Sequence, residues 1–196
     1  MLLYYIMKSA LKILTAFVLS VLLLSCVTKQ ESAARYSVYV TNETQYQLLP
    51  PSAFEENMDR FQNITGYFQG KVHIFGAYIK SDEEQVSITF FNQMGGSVGD
   101  LVYTGDSLVA NSHFTPPGAK FEYMMADFQF CYCRKEILAE SLEAIGLRFE
   151  VSGHGGKEIR QIWDKDKLVI QVEREKNRTK LQNLLREYSY DILEGN

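Results

Sequence analysis

The sequence predicts an α+β domain: a largely antiparallel sheet with helices inserted between its two halves. Residues 66–112 contain short strand-like segments separated by close turns, which is typical of an antiparallel meander rather than of parallel strands with crossovers. The apolar residues of 121–145 then recur every three to four positions, as on one face of a helix. Strand-like segments resume after Gly146 and continue to residue 193. We expect a single domain over residues 36–196.

The first elements are a short strand and a short helix. Residues 36–40 alternate apolar and polar side chains, as a half-buried strand does. Residues 52–61 are predicted as a helix, because Ser52 can cap its first turn and Glu55 follows three positions later.

A meander of strands is predicted next. Residues 67–79 are expected to form one long strand, kinked at Gly70 or Gly76. Short polar or glycine-containing turns then separate further strands, because such residues accommodate tight hairpins. These strands are predicted at residues 86–91, 98–103 and 108–112.

Two helices are predicted between the halves of the sheet. The apolar stripe of the first consists of Phe121, Met124, Met125 and Phe128. The second has the same spacing at Leu138, Leu142 and Ile145, and Gly146 follows as a C-terminal stop. Beyond it, the sequence predicts strands at residues 147–151, 159–163 and 168–173, a charged loop at 173–180, and strand-like alternation through 181–193.

Residues 1–25 have the features of a secretory signal. Lys8 and Lys12 are their only charges, and an apolar run over residues 13–24 follows. This run is shorter than the roughly 20 apolar residues that a membrane-spanning helix needs. The Leu-Leu-Ser sequence before Cys26 resembles the lipobox of bacterial lipoproteins, in which the cysteine is acylated and the signal is cut before it.

The lipobox resemblance implies a signal peptide over residues 1–25, an acyl anchor on Cys26 and a lipidated tether over residues 26–35. Val27 stands where an Asp would resemble an inner-membrane retention signal, so we expect the outer membrane, with the domain facing the periplasm. The alternatives are an ordinary secretory signal and an uncleaved membrane anchor.

The charge balance argues against nucleic-acid binding. The chain has 20 basic and 24 acidic residues, which give a formal net charge of −4. A protein that holds phosphates usually carries a basic excess. Nucleic acid is therefore not expected among the partners.

Two segments resemble the lipoprotein carriers LolA and LolB. Residues 90–96 and 101–106 lie where that family has a strand, a glycine-containing loop, and a strand that ends in a turn. The resemblance implies a curved, largely antiparallel sheet that forms a half-open β-barrel, with helices covering the opening. It also implies a cavity that holds acyl chains.

A closer resemblance is to an uncharacterised family of bacterial lipoproteins, often encoded beside aryl polyene biosynthesis genes. It rests on residues 46–51, the glycine-containing loop, residues 127–130 and residues 188–192. This resemblance implies no established catalytic residue. Where that family tends to have Trp-Pro after the glutamine-containing helix, this chain has residues Cys131-Tyr132-Cys133.

Five residues are candidates for ligand binding. Phe121, Met124, Met125 and Phe128 form an adaptable apolar face that suits a cavity for acyl or polyene chains. The alternative is that this face only packs on the sheet. Met94, in the glycine-containing loop, is either an exposed apolar tip that touches membrane or ligand, or an ordinary hairpin tip.

No catalytic or metal-binding cluster stands out, and no cofactor is expected. Cys131 and Cys133 could bind a soft metal or form a redox disulfide, but no further ligand lies nearby and so small a disulfide ring is strained. Structural burial is the alternative. The three histidines share no ligand spacing. No partner that would shift a pKa is evident for Asp59, Asp127, Glu136 or Glu140.

The sequence therefore favours a non-enzymatic outer-membrane lipoprotein that binds a lipid-like, acyl or polyene ligand and aids its delivery to the outer membrane. Its expected partners are the membrane, that ligand and other envelope proteins. The alternative is a scaffold or assembly lipoprotein of an envelope biosynthesis or export complex, without a ligand. A third hypothesis, an envelope enzyme, would need a cluster of titratable groups.

Overall fold

Ten strands form one sheet in the computed structural model, which describes residues 36–112 and 120–195. A small separate sheet pairs β1 (Ser37–Tyr39) with β2 (Gln45–Gln47). The helices are α1 (Phe121–Tyr132) and α2 (Lys135–Glu143). The strands of the large sheet are β3 (Met58–Phe68), β4 (Lys71–Ser81), β5 (Val86–Phe91), β6 (Ser97–Tyr103), β7 (Leu108–Ser112), β8 (Arg148–His154), β9 (Lys157–Asp164), β10 (Lys167–Glu175), β11 (Arg178–Asn183) and β12 (Tyr188–Glu194).

The strand order of the large sheet is β7-β6-β5-β4-β3-β12-β11-β10-β9-β8. All neighbouring strands are antiparallel, so the predicted α+β class with a largely antiparallel sheet is confirmed. The last strand, β12, pairs with the first, β3, and thereby joins the two halves. Strands β7 and β8 are the edges, so within the described residues the sheet is not closed. The chain passes from one edge to the other through α1 and α2.

The helix predicted at residues 52–61 is wrong. Only the three-residue 3-10 turn Pro51–Ala53 is helical, and β3 begins at Met58. Strand β3 pairs with β4 on one side and with β12 on the other. Within the predicted segment, the pairing of residues 58–61 with β4 outweighs a local capping signal that tertiary contacts do not support.

The single long strand predicted at residues 67–79 is also wrong. The chain reverses at Gln69 and Gly70, whose φ angles are 51° and 72°. Two consecutive positive φ angles are what a two-residue hairpin turn between twisted strands requires. The glycine expected to kink one strand therefore separates β3 from β4.

The charged loop predicted at residues 173–180 is a hairpin instead. Strand β10 continues to Glu175 and β11 begins at Arg178, so a two-residue turn separates them. The charges form cross-strand pairs, among them Arg178 with Asp191 of β12. The strands predicted at residues 86–91 and 108–112 are confirmed with the same bounds.

The helix α1 runs through the interior of the protein. Its last eight residues are all buried, so its second half is covered on every side and not only along the predicted stripe. The rings of Tyr46 and Phe130, 5.1 Å apart, pack β2 against the helix. Gln129 anchors the same segment, because its amide accepts from the Tyr46 hydroxyl at 3.0 Å and donates to the Leu49 carbonyl at 2.7 Å.

A buried arginine of β9 holds the C-terminal end of α1. Arg160, 1% exposed, donates to the Cys133 carbonyl at 2.7 Å and pairs with Glu55 and Glu158. Burial alone would raise the pKa of Glu55, but hydrogen bonds and charge from Arg174 and Arg160 lower it. This charged cluster therefore connects the 3-10 segment, the helix end and β9.

Ala34–Asn196 forms a compact unit of its own. This unit contains the whole of the buried core described above, so we expect it to fold without the residues that precede it. The predicted signal peptide, the tether and Cys26 lie outside the described residues. In the described part of the chain, no helix is long and apolar enough to cross a membrane.

Candidate ligand cavity

A cavity of about 550 Å³ lies between α1 and the inner face of the large sheet. Strands β3 to β7 and β12 contribute to its lining, together with the first half of α1 and residues 185–186. This volume is typical of sites for small organic ligands. Eight of its seventeen lining residues are phenylalanine or tyrosine: Tyr67, Phe68, Phe75, Phe90, Phe121, Tyr123, Tyr188 and Tyr190.

Strand register places the cavity-lining rings of β4, β5 and β12 on one face of the sheet. Tyr188 and Tyr190 are two positions apart on β12 and therefore face the same side of the sheet. Their ring centres lie 5.6 Å apart. Tyr190 is paired with Gly66 of β3. A Cβ atom at Gly66 would lie 3.4 Å from the Tyr190 ring, so glycine gives this ring room to lie across the neighbouring strand. Phe75 and Phe90 extend the wall, with centres 6.0 Å apart.

A second, smaller cavity of about 60 Å³ shares part of this lining. Both cavities are bordered by Phe75, Phe90, Met124, Asp127 and Tyr190. The smaller one also reaches aliphatic side chains of the sheet and the Phe128 ring. The two spaces therefore adjoin, and Asp127 lies where they meet.

Asp127 is the acidic residue of the cavity lining and is 6% exposed. The Tyr188 hydroxyl lies 2.9 Å from both of its carboxyl oxygens. Burial raises the pKa of Asp127 to about 8, although the Tyr188 hydrogen bond and the Arg186 charge act in the opposite direction. At neutral pH this carboxyl group is therefore mostly protonated. The sequence offered no partner for Asp127, and the fold supplies one from β12.

The structure places the five predicted ligand residues in different surroundings. Phe121 and Met124 line the larger cavity, and Phe128 lines the smaller one. Met125 is fully buried in the core and borders neither cavity. Met94 lies at the β5–β6 hairpin tip, where it is 94% exposed and also borders neither cavity.

Sequence reasoning missed Asp127, Arg186 and the tyrosines of β12. One signal was available for Asp127, because it is the only charged residue in the mainly apolar second half of α1. A charged residue in such a run is rarely buried without a partner. Arg186 had no comparable signal, since it lies in the turn before β12 and is followed directly by the oppositely charged Glu187.

Cys131 and Cys133 are free and buried. Burial raises the pKa of Cys131 to about 12 and that of Cys133 further, so neither is readily converted to the thiolate. Residues 36–112 and 120–195 contain no group of three or more histidine, cysteine or acidic side chains placed to hold a metal ion.

The fold and the cavity define an α+β protein with a largely apolar cavity between an antiparallel sheet and a helix. The chain belongs to the DUF3261 family, proteins of unknown function, whose family model matches residues 59–193. The match covers the strands and the helix that line the cavity. It confirms that the family is an uncharacterised one. No curated protein matches the chain.

Proposed function

We propose that this protein is a non-enzymatic carrier that binds a lipid-like ligand, an acyl or polyene chain, and aids its delivery to the outer membrane. The observation that supports this most directly is the 550 Å³ cavity with its aromatic and aliphatic walls. Burial of each CH₂ group contributes about 0.8 kcal/mol. A chain of about ten such groups would therefore gain roughly 8 kcal/mol before the costs of association.

The same proposal includes a half-open barrel of the LolA and LolB kind. The strand order supports it, since the large sheet has two separate edges and α1 lies against its inner face. In this arrangement, α1 is the helix that covers the opening. Its first half, which is less buried than its second, borders the cavity.

We further propose that the protein is anchored by acyl chains on Cys26 and faces the periplasm from the outer membrane. The support is the sequence alone: Leu-Leu-Ser-Cys directly after an apolar run, with Val27 next. More than one acyl chain is needed for stable anchoring, and a processed lipobox cysteine would provide them.

Native mass spectrometry of a form that begins at Val27, purified from the periplasm, tests the proposed function. We expect an additional mass of lipid or polyene size that organic extraction removes. Met124→Glu should lose this mass, because Met124 lines the cavity. Val109→Glu is the matched control, since Val109 is 61% exposed and does not line it. A ligand-free mass for the unaltered chain would instead favour the scaffold alternative.

A further inference from the structure

Two cations line the cavity beside the first turn of α1. Lys120 immediately precedes the helix, and the guanidinium carbon of Arg186 lies 5.5 Å from the centre of the Tyr123 ring in that turn. Neither cation forms an ion pair with another described residue. The chain as a whole carries a net charge of −4, so these two positive charges are opposite in sign to the net charge of the protein.

Arg186 has donor capacity that the fold leaves unused. Its Nη2 atom donates to the carbonyls of Tyr39 at 2.6 Å and Thr41 at 3.3 Å. Its Nε atom is buried and has no hydrogen-bond partner among the described residues. A buried donor without a partner is costly, so an acceptor oxygen from a bound molecule would relieve that cost.

The acidic groups near these cations do not cancel them. Asp127, which faces the cavity from α1, shares its carboxyl group with the Tyr188 hydroxyl and is mostly protonated at neutral pH. Glu122, in the first turn of α1, does not line the cavity. The other titratable side chains of the lining are His73 of β4 and four tyrosines.

Resting on the proposed ligand-binding function, we propose that the cavity selects single-chain amphiphiles with an anionic head group. The head group pairs with Arg186 and Lys120, while the chain lies against Phe75, Phe90 and Met124. Guanidinium groups bind carboxylates and phosphates through charge-assisted hydrogen bonds. Such a pair is stronger in a partly enclosed apolar site than in water, because the effective dielectric constant is lower.

Competition between two amphiphiles of equal chain length tests the selectivity. The chain from Val27 is loaded with the neutral fluorescent probe N-phenyl-1-naphthylamine, which is then displaced by dodecanoate or by dodecyltrimethylammonium at pH 7. We expect dodecanoate to displace the probe at a concentration at least about tenfold lower, a difference of about 1.4 kcal/mol. Added salt should reduce this preference.

Variants assign the preference to the two cations. Lys120→Gln and Arg186→Gln should each reduce the preference for dodecanoate, and Arg186→Lys should retain part of it. Arg178→Gln is the control, because Arg178 is a partly exposed cation that pairs with Asp191 and does not line the cavity. Lys120 is exposed, so its substitution remains informative even where a change of Arg186 disturbs folding.

The outcomes separate this inference from the proposed function. The neutral probe could bind and be displaced equally by both amphiphiles, or more readily by the ammonium compound. Either result would overturn the anion selectivity and leave the carrier proposal standing. An unchanged preference in Lys120→Gln and Arg186→Gln would overturn the assigned residues. A folded chain that binds neither the probe nor either amphiphile would overturn the proposed function itself.

Discussion

The hydroxyl group of Tyr188 donates to the buried carboxyl group of Asp127, and its oxygen lies 2.9 Å from both carboxyl oxygens. Asn183 donates to the same tyrosine oxygen at 3.1 Å. This contact connects α1 with β12 across 61 positions of sequence. These hydrogen bonds give the buried carboxyl group a polar partner within a cavity lining rich in aromatic side chains.

Replacement of Asp127 by Asn should make the stability of the protein less dependent on pH. The pKa of Asp127 is about 8 in the folded chain, whereas an unfolded aspartate has a pKa of about 3.9. Between these values the folded chain binds more protons, so the free energy of unfolding falls as pH rises, by up to about 1.4 kcal/mol per pH unit. Asp127→Asn removes this contribution.

Urea unfolding between about pH 5 and pH 8 measures the effect. The decline in the free energy of unfolding should be shallower for Asp127→Asn than for the unaltered chain. The exposed Asp106 provides the control, and Asp106→Asn should leave the slope unchanged. Parallel slopes for all three chains would show that Asp127 is ionised in the folded state at these pH values.

Two neighbouring methionines should respond differently to the same substitution. Met124 lines the cavity and is half-buried, whereas Met125 is fully buried in the core. Met124→Glu should weaken binding of N-phenyl-1-naphthylamine with a modest loss of stability. Met125→Glu should destabilise the fold by several kcal/mol, since it buries an unpaired charge. Probe titration measures the binding affinity of both variants, and thermal unfolding measures their stability. If the two substitutions changed affinity and stability equally, the assignment of Met124 to the cavity and Met125 to the core would be contradicted.

Arg160 should be among the most sensitive positions outside the cavity. It is 1% exposed and binds the Cys133 carbonyl, Glu55 and Glu158. Arg160→Leu should lower the free energy of unfolding by about 3–5 kcal/mol, the usual cost of removing one partner of a buried ion pair. Arg178→Leu, which removes a more exposed pair with Asp191, should lower the free energy of unfolding far less, because solvent screens that pair. Urea denaturation of both variants checks this contrast, and a small effect at Arg160 would refute it.

Cys26→Ser should abolish acylation and leave the precursor uncut, if the lipobox is functional. Metabolic labelling with a radioactive fatty acid, followed by electrophoresis, measures both the acylation of the protein and the size of the precursor. Cys131→Ser is the control and should retain label and processing, because Cys131 is buried in the folded domain. Label that persists in Cys26→Ser would refute the predicted anchor.

The sequence predicted most elements of the fold because the signals for them are short-range. The glycine after α2 marked its end, and the alternation in β5 and β7 located both strands to the residue. The errors arose where a local signal competed with pairing across the sheet. Residues 52–61 had a capping pattern, but pairing with β4 extends β3 into this segment as far as Met58.

The cavity was only partly predictable for a related reason. Helical spacing grouped Met124 with Met125, but it could not distinguish which of them borders the cavity and which is fully buried in the core. The neighbours of α1 make that distinction, and several of them lie some 60 to 85 positions away in sequence, as the Tyr188–Asp127 and Tyr39–Tyr123 contacts show.

The sequence by itself thus determined the α+β class, the antiparallel character of the sheet and the position of both helices, because periodicity and turn chemistry depend on neighbours along the chain. Only the tertiary structure decided that β12 joins the two halves of the sheet, that Tyr188 meets Asp127, and that Arg186 and Lys120 border one apolar cavity. Those relationships depend on which distant segments pack together. Burial and charge interactions contribute to the free energy of folding only when that packing brings the side chains into contact.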